Sequence, residues 1–485
     1  MDDQFTLPSL TRAISNGEIE AISATLIAKV QQALVSQASS FLELAITPLR
    51  THDFECQIEI IARELGRSFL EWCFGAIEPE NVESMPGSVR FKDHSFRRLI
   101  EKTVHSNILT RFGKIKLSRA TYRRGRSGKV IAPVEKMLGI QFGATPAAAD
   151  LVGRQIAATG SSQTRSIEFI ADRTGAKIGN EKLRSISSGL FDSMEPHRAE
   201  CQLEQLQKWI DQAVKHGKDV VLSISRDGVS LCIAPYGYFE MASVATLSVF
   251  SQGNRIGTVY LAATPEENQT QLSENLTSLL SNVVCTRGAK ISKIAYVTDA
   301  GIIETAYWKT TLRKFYVGGK RIKIDRTVDY YHASLRLTAI ADSLKLNEKA
   351  RQDWLESVRK LLLLDGGWGR VMRSVAKMKE LHGLKGSAVD EYKKAEKYLR
   401  RYRRYMNYAE QRGNGCPIGS GIVESACKQI VTERLKLSGM RWKHAGARQI
   451  MTLRSILLSQ TWTATYKRML ENFSPVEPLC AHPAQ

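Results

Sequence analysis

The sequence predicts an α/β protein in which a mainly helical region with a short β element precedes a strand-rich segment and a further helical stretch. Three observations support this prediction. Apolar residues recur at helical spacing near the N-terminus, short apolar strands begin at residue 219, and helices return from residue 338. A period of three to four residues indicates a helix against a core, and short apolar runs bounded by turns indicate strands. A chain of 485 residues can form two to four domains.

The composition restricts the classes of function. The chain is 43% apolar and has a net charge of +20, which favours a polyanionic partner. Nucleic acid is favoured over an anionic membrane, because no basic amphipathic anchor is visible. No apolar run reaches the ~18 residues of a membrane span, and the acidic N-terminus lacks a signal-peptide pattern. We therefore expect a cytoplasmic protein with no membrane partner.

Cysteine spacing gives no sign of a zinc site. The eight cysteines are scattered and none forms a CxxC pair, the usual spacing of zinc ligands. We expect reduced thiols, most of them buried.

The first 200 residues divide into two predicted regions. Residues 1–105 are predicted to be mainly helical, with a break at 78–88. Residues 106–200 begin with a β-arm, in which Ile115 and Leu117 alternate with polar residues and eight basic residues occur without an acid. The arm is either a solvated edge strand or a contact for DNA phosphates. Its candidate DNA contacts are Arg123, Arg124 and Arg126.

A helix, a turn and a second helix follow in residues 164–190. The pattern predicts a turn at Gly175 and a second helix capped by Asn180. Such a pair is similar to a helix-turn-helix, whose second helix could enter the major groove. An ordinary helical hairpin gives the same pattern, so both interpretations stay open.

Residues 215–337 form the first part of the predicted core. Asp227 and Asp299 each follow an apolar strand and precede a glycine within two residues. Residues just past strand ends line a common crevice in open sheets, whereas Asp-Gly alone also makes simple turns. Residues 338–412 are predicted to be helical, and residues 471–485 a tail.

The second part of the core, residues 413–470, carries an acid in an unusual setting. Glu424 lies among small and apolar residues, at the edge of a predicted apolar helix stripe from Ile422 to Val431. As an ordinary acid near a helix N-terminus, it would stabilise the helix by ~0.3–1 kcal/mol. The alternative is that it meets Asp227 and Asp299. Three carboxylates that repel one another are tolerated around Mg²⁺, for which Mn²⁺ would substitute, and two such ions drive phosphodiester chemistry.

Four motifs then resemble, in order, the core of bacterial insertion-sequence transposases of the DDE class, related to Mutator-like transposases. The resemblance covers about residues 219–462 and rests on "SRDGVSL", "YVTDAG", "VDYYHASLRL" and "PIGSGIVESACKQIVTERLKLSGMRW". It implies an RNase H-like catalytic core with a helical insertion at residues 338–412. Asp227, Asp299 and Glu424 would be its catalytic, metal-binding triad. The implied activity is Mg²⁺-dependent cleavage at element ends, with transfer of the 3′-OH strands to target DNA.

The resemblance carries further implications. Asp329 and His332 fit an auxiliary Asp-x-x-His motif, although His332 is equally compatible with a hydrogen-bonded core histidine. Double-stranded DNA would be the partner, bound by a homodimer or higher oligomer. Many relatives carry a Cys-rich element before the core, but "RATYRRGRSGK" replaces it here, so no zinc is expected. Further candidate DNA contacts are Lys428, Arg434, Lys436, Arg441, Trp442 and Lys443, with core packing the alternative for Trp442.

Two other functions stay open at this point. One is a DNA-binding protein derived from a transposase but no longer catalytic. The other is an RNase H-like nuclease that cleaves without joining. The intact set of three acids favours the transposase over the first alternative.

Overall fold

The computed structural model describes residues 9–158, 160, 162–215, 219–344, 346–384, 386 and 388–479. These residues form helices and several sheets, which confirms the mixed α/β class. They divide into two compact units, Met1–Met194 with Tyr466–Gln485 and Glu195–Thr465. The expected absence of a signal peptide rests on the N-terminus, of which residues 1–8 lie outside the described residues. Cys480 in the predicted tail lies outside them as well.

The first unit begins with two long helices, which are followed by short strands. The prediction of a mainly helical segment up to residue 105 missed β1, β2 and the start of β3, because polar strands such as His94–Arg98 lack an apolar alternation. The elements are α1 (Asn16–Leu42), α2 (Pro48–Gly75), β1 (Ser88–Phe91), β2 (His94–Arg98), β3 (Thr103–Thr110), β4 (Gly113–Arg119), β5 (Tyr122–Arg123), β6 (Val130–Ile131), α3 (Pro133–Met137), α4 (Pro146–Ala157), α5 (Gln163–Thr174) and α6 (Asn180–Lys215), which continues into the second unit.

Two local predictions in this unit are confirmed. Strand β4 pairs antiparallel with β3, and it buries Ile115 and Leu117 while its lysines stay exposed. Helix α5 ends at Gly175 in the left-handed conformation with φ 69°, a common C-terminal cap. The second helix begins at Asn180 and extends over 36 residues. Its length far exceeds the segment on which the helix-turn-helix comparison rested.

The second unit contains a five-stranded sheet and a run of helices. Its elements are β7 (Val220–Ile233), β8 (Tyr238–Ser251), β9 (Asn254–Ala263), α7 (Thr270–Arg287), β10 (Lys293–Thr298), α8 (Ile302–Thr310), β11 (Tyr316–Val317), β12 (Lys320–Arg321), β13 (Asp325–Val328), α9 (Tyr330–Ser343), α10 (Glu348–Leu362), α11 (Gly367–His382), α12 (Ala388–Arg401), α13 (Tyr408–Gly413), α14 (Gly421–Cys427), α15 (Glu433–Leu435) and α16 (His444–Leu458). The chain then forms α17 (Trp462–Glu471) and β14 (Val476–Leu479), and β14 pairs with β1 in the first unit.

The central sheet has the order β13-β10-β7-β8-β9. Strands β7, β8 and β9 form an antiparallel meander, and β10 and β13 run parallel to β7. The β8–β9 hairpin turns at Gln252 and Gly253, which both have positive φ as its tight turn demands. Alternate strand residues face opposite sides: Leu222 packs in the core with α7, and Val221 packs with Cys416.

The stretch 338–412 is helical, as predicted, and has a core of its own. Helices α9 to α12 enclose buried residues such as Leu337, Val358 and Leu399. The predicted start at residue 338 falls inside α9, which begins at Tyr330. Among the described helices, none combines the length and the apolar character that crossing a bilayer would demand.

Candidate active site

The register of the parallel strands brings three aspartates to one level. Continued beyond its last pair, the register of β10 with β7 puts Asp299 level with Asp227. The register of β10 with β13 likewise puts Asp329 level with Asp299. Neighbouring strands lie about 4.8 Å apart, so three acids on consecutive strands are neighbours at one end of the parallel part of the sheet.

The position of Asp227 within its strand differs from the prediction. Asp227 does not end a strand but lies in the middle of β7, which continues to Ile233. The prediction was wrong because Gly228 is a strand residue: a Cβ there would lie 2.7 Å from the sulfur of Met241 on β8. Asp299 does follow β10 directly, and its Oδ1 accepts a hydrogen bond from the Gly301 amide at 2.9 Å.

Glu424 lies in the first turn of α14, on the helix that the sequence predicted. The predicted stripe is buried at Val423, Ala426 and Cys427, and Glu424 at its edge keeps 47% of its side chain exposed. The thiol of Cys427 lies 3.9 Å from Oδ2 of Asp227, which ties α14 to the middle of β7. Glu424 and Asp227 are therefore held by two elements in direct contact.

The charges of four acids converge on this part of the sheet. Burial raises the pKa of Asp227, and the negative charges of Asp299, Glu304 and Glu424 raise it further, against the lowering effect of the Gly228 amide, to about 6. A bound cation is most favourable where carboxylates repel one another in this way, because its positive charge offsets the repulsion.

Glu304 was not predicted as part of the site. It lies in the first turn of α8 with 7% of its surface exposed. A Cβ on Gly301 would lie 2.2 Å from Glu304 Oε2 and 3.3 Å from Asp299 Oδ1, so the two carboxylates flank the same glycine. Burial and the charge of Asp299 raise the pKa of Glu304. In the sequence, an acid in a first helical turn is indistinguishable from a helix-dipole partner.

A serine connects Glu424 to the buried Asp329. Asp329 is fully buried, and its Oδ2 accepts hydrogen bonds from the amide and the hydroxyl of Ser420, the latter at 2.7 Å. The same hydroxyl lies 2.8 Å from Glu424 Oε1. A hydroxyl carries one proton, so it donates to one carboxylate at a time. Gly419 lets the chain approach here, because a Cβ there would lie 2.9 Å from the Tyr331 ring.

His332 lies beside the same two acids. Its amide donates to Asp329 Oδ1 at 2.7 Å, and its ring Nδ1 lies 3.4 Å from that oxygen and 3.9 Å from Glu424 Oε1. The contact with Asp329 raises the pKa of His332. Burial alone would raise the pKa of Asp329, but the hydrogen bonds from His332 and Ser420 outweigh it and lower the value to about 2. Asp329 is therefore an ionised partner for the His332 ring when that ring is protonated.

Two groups of side chains are candidate binding sites for a divalent ion. Among the described residues, Asp329, His332 and Glu424 offer donor atoms within 4.8 Å of one another, a spacing that the predicted triad does not reach. Both oxygens of Asp329, however, already accept hydrogen bonds. Asp227, Asp299 and Glu424 supply carboxylate oxygens, the ligands that suit Mg²⁺. Their donor chemistry fits this ion. Asp329, through the Ser420 hydroxyl, and His332 then support Glu424 from behind.

On the expectation of Mg²⁺-dependent DNA cleavage stated in the sequence analysis, we predict that Ser420→Ala weakens this activity by acting on Glu424. The substitution removes the hydroxyl that faces both carboxylates but keeps the amide that binds Asp329. Altering such a supporting residue costs roughly 10–100-fold in metal affinity or activity. Cleavage rates measured over a Mg²⁺ titration should show a higher metal requirement, and Ser420→Thr should restore part of the rate.

Ser425→Ala is the matched control, because Ser425 is an exposed serine on the same helix. A Ser420→Ala protein with an unchanged Mg²⁺ titration would show that the hydroxyl serves packing alone. Melting temperatures of both variants separate a loss of stability from a loss of metal binding.

The predicted DNA contacts fall into two groups. Arg434 is only 2% exposed and its guanidinium lies over the Trp442 ring, so it does not face a surface; the prediction that it contacts DNA is corrected. The Trp442 indole donates to the Leu435 carbonyl at 2.9 Å, and its backbone pairs with the end of β7, which favours the packing alternative. The remaining candidates are at least partly exposed: Arg123, Arg124, Arg126, Lys428, Lys436, Arg441 and Lys443.

Comparison with known proteins gives no independent assignment. No protein-family model matches the chain, and no curated protein matches it.

Proposed function

We propose that the chain is a DNA transposase that cleaves phosphodiester bonds at insertion-sequence ends and joins the 3′-OH strands to target DNA. One observation carries the proposal: the pairing registers and the α14–β7 contact bring Asp227, Asp299 and Glu424 together from distant parts of the chain. The central sheet supports an RNase H-like core, since one Asp lies on its first strand, one directly follows a parallel strand, and the Glu lies on a later helix.

Each side chain has a defined task in this proposal. Asp227, Asp299 and Glu424 would hold Mg²⁺ between them. When bound, two such ions activate the attacking oxygen and stabilise the leaving one. Tyr398 fixes the backbone at Asp299, because its hydroxyl donates to the Asp299 carbonyl at 2.8 Å. Ser420, with Asp329 and His332 behind it, orients the Glu424 carboxylate. The metal-binding carboxylates thus stand on a rigid sheet and on a braced helix.

The experiment that tests the proposal uses the DNA that flanks the coding region. Purified protein is incubated with Mg²⁺, with a linear substrate that carries these flanks and with a supercoiled target plasmid. Cleavage that leaves a free 3′-OH, followed by joined products, supports a transposase. Cleavage without joining favours a nuclease, and binding without cleavage favours a non-catalytic DNA-binding protein.

We predict a specific order of metal activation. Mg²⁺ and Mn²⁺ should support strand cleavage, whereas Ca²⁺ should support binding without efficient turnover, because its looser coordination positions the reacting oxygens poorly. Parallel assays of DNA binding and cleavage in each metal test this order. Equal cleavage rates in EDTA and in Mg²⁺ would exclude metal-dependent chemistry at these carboxylates.

A further inference from the structure

A basic cavity lies in the same unit as the carboxylates but at the other end of the parallel strands. A cavity of about 590 Å³ lies between the end of α7, the first residues of β10 and the β11–β12 hairpin. The described residues that line it include four cations and no acidic side chain. The cations are Lys293, Lys320, Arg321 and Lys323.

The lining combines positive charge with apolar walls. Val284, Ile291 and Val317 contribute apolar surface, and Lys320 and Arg321 on β12 are exposed. Between residues 305 and 324 the chain has six basic residues and no acid. The single ion pair of this lining that the structure describes joins Lys323 to Asp325 at 3.6 Å, with 89% of the lysine side chain exposed. A second acid beside the lining, Asp219, accepts a hydrogen bond from Ser292 at 2.9 Å. Four lining cations against these two neighbouring acids leave the cavity net positive.

The cavity is well separated from the candidate active site. Lys293 begins β10, and Asp299 follows its last residue. Six residues of extended chain span about 20 Å. A ligand that fills this cavity therefore does not occupy the space between Asp227 and Asp299.

We propose that this cavity binds the phosphodiester backbone of a nucleic-acid segment other than the one at the carboxylates. Cations that neutralise phosphates give sequence-independent affinity, and apolar walls suit the sugar and base surfaces between the phosphates. Tyr316 on β11 does not line the cavity, but it pairs with Arg321 across the hairpin and is 58% exposed. The proposal rests on the proposed function in taking nucleic acid as the partner.

An exposed cysteine in the lining provides the test. Cys285 lines the cavity and is exposed, and Cys56 on α2 is an exposed cysteine that does not line it. Alkylation rates of both cysteines are measured by peptide mass spectrometry, with and without a 40-base-pair duplex, in the full chain carrying Glu424→Gln. Slower alkylation of Cys285 alone supports the proposal. An unchanged Cys285 rate, or equal slowing of both thiols, overturns it.

A charge variant extends the test to the cations. Lys320→Ala/Arg321→Ala removes two exposed cations from the lining, and Lys393→Ala/Lys397→Ala removes two exposed cations from α12 as a control with the same charge change. The first variant should lose Cys285 protection and reduce the slope of log affinity against log salt by about 2, roughly 1 per phosphate contact. Equal slopes for both variants would overturn the proposal.

A chain that binds no DNA contradicts the proposed function, whereas a chain that binds DNA with Cys285 unprotected contradicts the cavity site alone.

Discussion

Replacing Glu424 by Gln is expected to abolish DNA cleavage and joining while folding and DNA binding stay nearly intact. The amide keeps the volume of the side chain, and its oxygen can still accept the hydrogen bond from Ser420. Because 47% of the Glu424 side chain is exposed, its charge contributes little to stability. The loss falls on the negative charge directed at the metal, and even residues behind metal ligands are worth roughly 10–100-fold. We therefore expect at least such a loss in the cleavage rate.

Glu433→Gln is the matched control. It makes the same Glu-to-Gln change on α15, a few residues after the end of α14. Melting temperature, DNA affinity and 3′-end cleavage are measured on one preparation of each protein. If Glu424 were only an acid near a helix N-terminus, the change would cost under about 1 kcal/mol of stability and leave cleavage alone. Near wild-type cleavage by Glu424→Gln would remove Glu424 from the proposed triad, and Glu433 would be the next acid to test.

Local sequence patterns were sufficient for most elements of the second unit. The strands from residue 219, the helical stretch at 338–412 and the helix that carries Glu424 were all predicted in this way. These features depend on neighbours in the chain, where periodicity and turn residues act directly. Strand order and register depend on pairing between distant segments, so the alignment of Asp227, Asp299 and Asp329 emerges only in the folded sheet.

The errors at the site have the same physical origin. Gly228 was interpreted as a turn residue, but a cross-strand neighbour, Met241, gives it a place inside β7. Ser420 was not predicted as part of the site, because in the sequence it is one of several small residues near the start of α14. Its carboxylate partners are Glu424, four residues away, and Asp329, 91 residues away. Arg434 was counted as a surface cation, although α15 turns it onto the Trp442 ring. Residue type and spacing do not encode burial or partners across the fold.

The affinity for non-specific DNA is expected to fall by 10³–10⁵ between 50 and 200 mM salt. Eleven basic and three acidic residues lie between residues 401 and 460. In the structure, Arg434 and Arg454 are buried, which leaves nine of these cations exposed. The exposed set is Arg401, Arg403, Arg404, Arg412, Lys428, Lys436, Arg441, Lys443 and Arg448. A protein that neutralises about 6–10 phosphates releases enough counterions for a change of this size.

Fluorescence anisotropy with a labelled duplex at several salt concentrations measures this dependence. A slope of about −0.9 per neutralised phosphate converts the result into a count of contacts. Glutamine at Arg403 and Arg404, both exposed, should lower that count, whereas Arg434→Gln should leave the slope alone because its guanidinium packs on Trp442. A flat salt response would contradict DNA as the main partner. A slope reduced equally by Arg434→Gln would mean that this arginine leaves its aromatic contact when DNA binds.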